Sequence, residues 1–175
     1  MIYWLFSILI QGTFPKVEER SLWITPSSDT LSVHVINYDE LKPLLHSKSD
    51  TTYVVNFWAT WCAPCVQELP FFLEMDSVYR NQPFKLLLVS LDFKKDYIRK
   101  LEPFVRERQI EDHVVVLEDN RANFWIGDID PEWSGAIPAT LVLNKKNAYR
   151  KFVEAKLTDR TLQDILREMF RSPSS

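Results

Sequence analysis

The chain has 175 residues and two cysteines, and the two stand close together in Trp61-Cys62-Ala63-Pro64-Cys65. Their chemistry depends on protonation, because the thiolate is the reactive form and a free thiol has a pKa of about 8.5. The continuous run Tyr53-Val54-Val55-Asn56-Phe57-Trp58 predicts a strand buried on both faces. The residues from 62 to 79 predict a helix, with Val66, Leu69, Phe72, Leu73 and Val78 as its apolar residues. The pair therefore falls where a strand hands over to a helix. A helix N-terminus carries roughly half a positive charge and unpaired N–H groups, and both favour a thiolate. Cys62, at the helix mouth, is the expected nucleophile. Cys65, one turn further in, is close enough to form a disulfide with it and is expected to be more buried. Pro64 suits the first helical turn, where no N–H is needed.

Other uses of two cysteines stand beside this one. Zinc would need about four ligands, and no histidine lies near the pair in sequence. A structural disulfide over so few residues constrains the unfolded chain little. Two inert buried thiols would not require a helix mouth. His34, His46 and His113 are expected at the surface or at strand edges, and none is positioned by sequence to act as a base.

The elements that must hold this site follow from hydrophobic period. Leu31, Val33 and Val35 alternate with polar neighbours and predict a short strand. Residues 38–46 predict a helix, weakened by Pro43 unless it lies in the first turn. Pro70 is expected to kink the helix that follows the cysteines. Residues 84–91 predict a second buried strand. Tyr97, Ile98, Leu101, Phe104 and Val105 predict a helix that Pro103 kinks or breaks. Residues 113–117 predict a strand, 120–126 one or two helical turns, and 128–135 a turn-rich stretch. Residues 139–143 and 148–153 predict a hairpin, and Thr158 predicts the cap of a last helix. This alternation argues for an α/β layered sandwich with a mixed sheet.

Composition narrows the function. Apolar residues at 46% and charged residues at 26% fit one globular domain. The 3 glycines never fall at Gly-x-Gly spacing, which excludes a dinucleotide fingerprint. A net charge of -3 argues against nucleic acid as a partner. Met1-Ile2-Tyr3-Trp4-Leu5-Phe6-Ser7-Ile8-Leu9-Ile10 is uncharged and has the length of a signal-peptide core, although no basic residue precedes it. Its alternative is a buried element of the domain. Residues 1–12 are expected to be a signal peptide or short membrane anchor, 13–30 a lead-in segment, 31–171 the domain and 172–175 a tail. The expected location is extracytoplasmic, in a periplasm or cell envelope.

The stretch from Val54 through Trp61-Cys62-Ala63-Pro64-Cys65 to Glu68-Leu69-Pro70, together with Ile137-Pro138-Ala139-Thr140, resembles the thioredoxin superfamily. More narrowly, it is similar to the TlpA/ResA-like thiol-disulfide oxidoreductases. The resemblance covers roughly 31–170. It implies a thioredoxin-like three-layer sandwich, with a mixed central sheet flanked by helices. It implies that the Ile137-Pro138 bond is cis and packs opposite Cys62, leaving the Ile137 backbone free to pair with a substrate. It places Asn56 where thioredoxin has a buried Asp, and Glu68 where the subfamily has an acidic active-site residue that tunes the thiols and moves a proton. Its alternative role for Glu68 is a solvated helix residue. Residues 113–135 match a subfamily insertion, here aromatic through Phe124, Trp125 and Trp133. That insertion either shapes a substrate surface or packs the fold.

The implied site comprises Cys62, Cys65 and Glu68 as catalytic residues, with Trp61, Ala63, Pro64, Ile137 and Pro138 contacting substrate. Trp58 and Trp61 are expected to form an apolar apron around the sulfur. No cofactor beyond the redox-active disulfide is implied. The implied partners are a disulfide-containing protein substrate and a membrane thiol electron donor, with N-terminal membrane association. Reduction of exported proteins, apocytochrome c among them, is the implied task. The competing expectation is a redox-inert binding or chaperone module. A peroxidase would need Thr-x-x-Cys, whereas Thr60 lies only two residues before Cys62.

Overall fold

The structure is a computed structural model that describes residues 31–46 and 49–171. The leader or anchor, the lead-in and the tail expected at 1–12, 13–30 and 172–175 lie outside the described residues. Among the described residues, no helix is long and apolar enough to cross a membrane.

Among the described residues, six strands form one sheet in the order β1-β4-β3-β2-β5-β6. They are β1 (His34–Ile36), β2 (Thr52–Trp58), β3 (Phe84–Ser90), β4 (Val114–Leu117), β5 (Ala139–Asn144) and β6 (Tyr149–Val153). β1, β4, β3 and β2 run parallel, and β5 and β6 each pair antiparallel with their neighbour. Among the described residues, five α-helices cover the faces: α1 (Tyr38–Leu45), α2 (Ala63–Tyr79), α3 (Glu102–Arg108), α4 (Ala122–Ile129) and α5 (Asp159–Arg171). This is the three-layer mixed α/β sandwich that the alternation implies.

Strand alternation sorts the core into two halves. Val54, Trp58, Leu86 and Leu88 face α2, α3 and α5, where they meet Leu69, Phe72, Val105, Leu162 and Leu166. Val55, Phe57, Leu87 and Val89 face α1 and α4, where they meet Leu41, Trp125 and Ile129. Asn56 lies between Val54 and Trp58 in β2, so its side chain points to the α2 side.

Several boundaries depart from the sequence expectation. The first strand begins at His34 rather than at residue 31, and Val35 is exposed. As an edge strand it pairs only with β4, and that pairing spans three residues. Pro43 lies inside α1, past its first turn, where it removes one helical donor. The helix is held by a capping box: Asn37 accepts from the Glu40 N–H at 3.2 Å, and the Asn37 N–H donates to Glu40 Oε2 at 2.9 Å. The break expected at Pro103 appears just before it, as a π-helical turn over Tyr97–Leu101 that precedes α3. Helix α2 is continuous through Pro70, which leaves the Val66 carbonyl without its usual donor. Helix α4 starts two residues later than expected and ends three residues later, at Ile129.

Candidate active site

Cys62 is the N-cap of α2, with extended backbone angles, and Ala63 and Pro64 form its first turn. Cys62 and Cys65 are joined by a disulfide, with their Cα atoms 5.3 Å apart. The Cys65 N–H donates to Cys62 Sγ at 3.3 Å. In a reduced chain the same N–H would favour a Cys62 thiolate, in addition to the helix dipole. Cys62 retains 6% exposure while Cys65 retains none, so an outside sulfur can reach only Cys62 directly. Ala63 and Pro64 are exposed beside it.

The β2–β5 pairing brings the second motif to the same place. Phe57 sits opposite Ala139 and Asn56 opposite Thr140, so Ile137 and Pro138 lie just beyond the end of β2. The Ile137-Pro138 bond is cis. The Ile137 carbonyl oxygen lies 3.7 Å from Cys62 Sγ. Ile137 is half-buried and Pro138 buried.

Glu68, one turn past Cys65 in α2, is fully buried. This excludes the solvated alternative. Its Oε1 accepts from Asn56 Nδ2 at 2.8 Å, and its Oε2 accepts from the Leu157 N–H at 2.8 Å. Asn56 Nδ2 also donates to Thr140 Oγ1 at 3.0 Å. Burial pushes the Glu68 carboxyl above its ordinary range. The Leu157 and Asn56 donors and the Lys156 charge pull the other way without overcoming it. A carboxyl so placed can hold a proton close to Cys65 at a pH where an exposed glutamate would not.

One expectation is corrected, and one open alternative is decided. Trp58 is not part of an apolar apron: it is fully buried and packs against Phe104 at a ring separation of 5.3 Å. It shares the inward face of β2 with Val54. The aromatic insertion packs the fold. Trp125 and Trp133 are buried, and Trp133 contacts Phe57 at 4.7 Å and Phe152 at 5.6 Å. Only Phe124 of the three is exposed.

The structure adds residues that the sequence did not single out. Asp92, just past β3, accepts from the Thr60 N–H at 3.0 Å, from Thr60 Oγ1 at 2.5 Å and from Ser90 Oγ at 2.8 Å. It clamps the loop that carries the cysteines. Phe93 stacks on exposed Trp61, with ring centres 6.0 Å apart. The donor from Leu157 is a backbone group, which no residue type announces. Among the described residues, no group of three or more ligating side chains could hold a metal ion.

Comparison with known proteins places the chain among relatives of the same fold. The profile of the AhpC/TSA family matches residues 40–151. The thiol-disulfide oxidoreductase ResA of Geobacillus thermodenitrificans (strain NG80-2) is 23% identical over 112 residues, covering 64% of this chain and 59% of that protein. The sporulation thiol-disulfide oxidoreductase A of Bacillus subtilis (strain 168) is 25% identical over 116 residues, covering 66% of each. The chain thus spans about three fifths of the length of three of the ResA proteins it matches. Among solved structures, a thiol:disulfide interchange protein from Chlorobium tepidum TLS superposes with a TM-score of 0.57 at 18% identity, covering 71% of this chain and 83% of that one. StoA from Bacillus subtilis gives 0.52 at 22% identity, covering 67% and 84%. These likenesses establish the thioredoxin-like fold.

Proposed function

This chain belongs to the AhpC/TSA family, and from that membership we propose that it is a thiol-disulfide oxidoreductase that reduces disulfides of exported proteins. The observation that carries the reading is the Cys62–Cys65 disulfide at the mouth of α2, with the Cys65 N–H aimed at Cys62 Sγ. The names of the relatives support it.

In the proposed reaction, the Cys62 thiolate attacks one sulfur of a substrate disulfide. A mixed disulfide forms, and the other substrate sulfur leaves as a thiolate that takes up a proton. Cys65 then loses its proton to Glu68 or to water and attacks Cys62 Sγ. The second substrate sulfur leaves. Two electrons have passed to the substrate, and the Cys62–Cys65 bond is restored. In this reading Trp61, Ala63, Pro64, Ile137 and Pro138 contact the substrate, the Ile137 carbonyl lying 3.7 Å from Cys62 Sγ. Each turnover then requires an external dithiol, for which a membrane thiol carrier is the proposed donor. Export or anchoring through residues 1–12, and a role in cytochrome c maturation, belong to the same proposal.

The family name also covers peroxide chemistry. The absence of a threonine three residues before Cys62, and the presence of a partner cysteine three residues after it, favour disulfide exchange. Insulin reduction tests the reading. The wild type should accelerate it and Cys62→Ser should not; equal rates would favour a redox-inert binding module. The direction is tested by the reduction potential of the pair. A value below about -200 mV fits a reductase, and one near -120 mV would make the protein an oxidant.

A further inference from the structure

The loop after β3 meets the cysteine loop residue by residue. Asp92 holds Thr60, and the next residue of each loop, Phe93 and Trp61, stack with their planes only 17° apart. Both rings face solvent, at 58% and 51% exposure. The other described tryptophans, Trp58, Trp125 and Trp133, are all buried. Exposed apolar area is unfavourable, and the fold gains little by holding two large rings in water. Covering them with an apolar group from a partner recovers that area.

Placement indicates which partner group this is. Trp61 immediately precedes Cys62, and the Ile137 carbonyl lies 3.7 Å from Cys62 Sγ. A substrate sulfur that reaches Cys62 therefore meets the Ile137 carbonyl, and its chain passes the loop whose preceding residue is Trp61. The pair is carried by the residue next to the reacting cysteine, so the side chain that would reach it is a neighbour of the substrate cysteine. Lys95 Nζ lies 5.6 Å from the centre of the Phe93 ring, so the pair carries a cation at its margin.

We propose that Trp61 and Phe93 together form a docking ledge for an apolar, preferentially aromatic, side chain adjacent to the reacting cysteine of a disulfide-bearing polypeptide, with Phe93 determining that preference. The proposal rests on the oxidoreductase reading and names its substrate class.

The test uses two peptides joined by disulfide to glutathione. They are identical except that the cysteine is flanked on both sides by Phe in one and by Ser in the other. The reduced wild type should react with the Phe-flanked peptide about tenfold faster in kcat/KM, the scale of one good aromatic contact. Phe93→Ala should cut that preference to less than about threefold, and Phe93→Tyr should retain it. A ratio of rates is insensitive to general damage to the thiol pair. A wild-type ratio near one, or a ratio unchanged in Phe93→Ala, overturns the ledge alone. Failure of the wild type to react with either peptide overturns the oxidoreductase reading, and the ledge with it.

Discussion

Asn56 Nδ2, on strand β2, donates to Glu68 Oε1, on helix α2, across 2.8 Å. In the resemblance to thioredoxin these two positions look like separate departures, an amide in place of a buried acid and an acid one turn past the second cysteine. In the structure they form one unit, completed by Thr140 and the Leu157 N–H. The carboxyl stands on the helix and the amide on the strand orients it.

This unit has a pH signature. Burial raises the folded-state pKa of Glu68 above its ordinary value, which is about 4.3 when exposed. The folded chain then binds a proton more tightly than the unfolded chain, so this group's contribution falls as pH rises from the ordinary value through the raised one. Glu68→Gln should remove that decline, as read from urea midpoints over a pH series. The same variant should slow the resolving step by on the order of 10²-fold in single-turnover experiments, if Glu68 accepts the Cys65 proton.

Asn56→Asp should place two carboxyls within hydrogen-bonding distance of each other. Like charges that close raise the pKa of one of them further. The variant should lose about 2 kcal/mol or more at pH 7 and recover most of it in acid, where one proton is shared. Urea unfolding at both pH values checks this. Equal loss at both would indicate damaged packing rather than charge repulsion.

Much of this site was legible in the sequence, for a local reason. Cys62, Pro64, Cys65 and Glu68 occupy one helical turn and its neighbour, and the apolar run before them marks the strand. What sequence could not supply were directions and distant partners. A strand buried on both faces shows no alternation, so the inward turn of Trp58 was unreadable. Asp92 reaches Thr60 across 32 positions and belongs to no spacing motif. Leu157 acts through its backbone, so any residue type there would serve. Edge position and short pairing set the limits of β1, and the alternation of Leu31, Val33 and Val35 carries no information on either.

The Asp92 clamp should be measurable as stability. Its carboxylate accepts from the Thr60 backbone, the Thr60 hydroxyl and Ser90. Hydrogen bonds to charged groups contribute about 1.5–3 kcal/mol each, and they are not additive within a network. Asp92→Ala should therefore destabilise the domain by about 3 kcal/mol in urea unfolding, whereas the more exposed Lys94 should matter far less.

The aromatic insertion should behave as core. Trp133 packs between Phe57, Trp125 and Phe152. Trp133→Ala should cost about 3–5 kcal/mol. Phe124→Ala, at an exposed ring, should cost under about 1 kcal/mol. Denaturant midpoints for the two variants distinguish packing from a substrate surface.

The central claim is that Cys62 attacks and Cys65 resolves. It is tested most directly by mixing each reduced single-cysteine variant with a disulfide peptide and weighing the product. Cys65→Ser should accumulate a mixed disulfide on Cys62, because the resolving sulfur is gone, while Cys62→Ser should form little or none from its buried thiol. Faster adduct formation on Cys65 in the Cys62→Ser variant, or no adduct on either, would contradict the account.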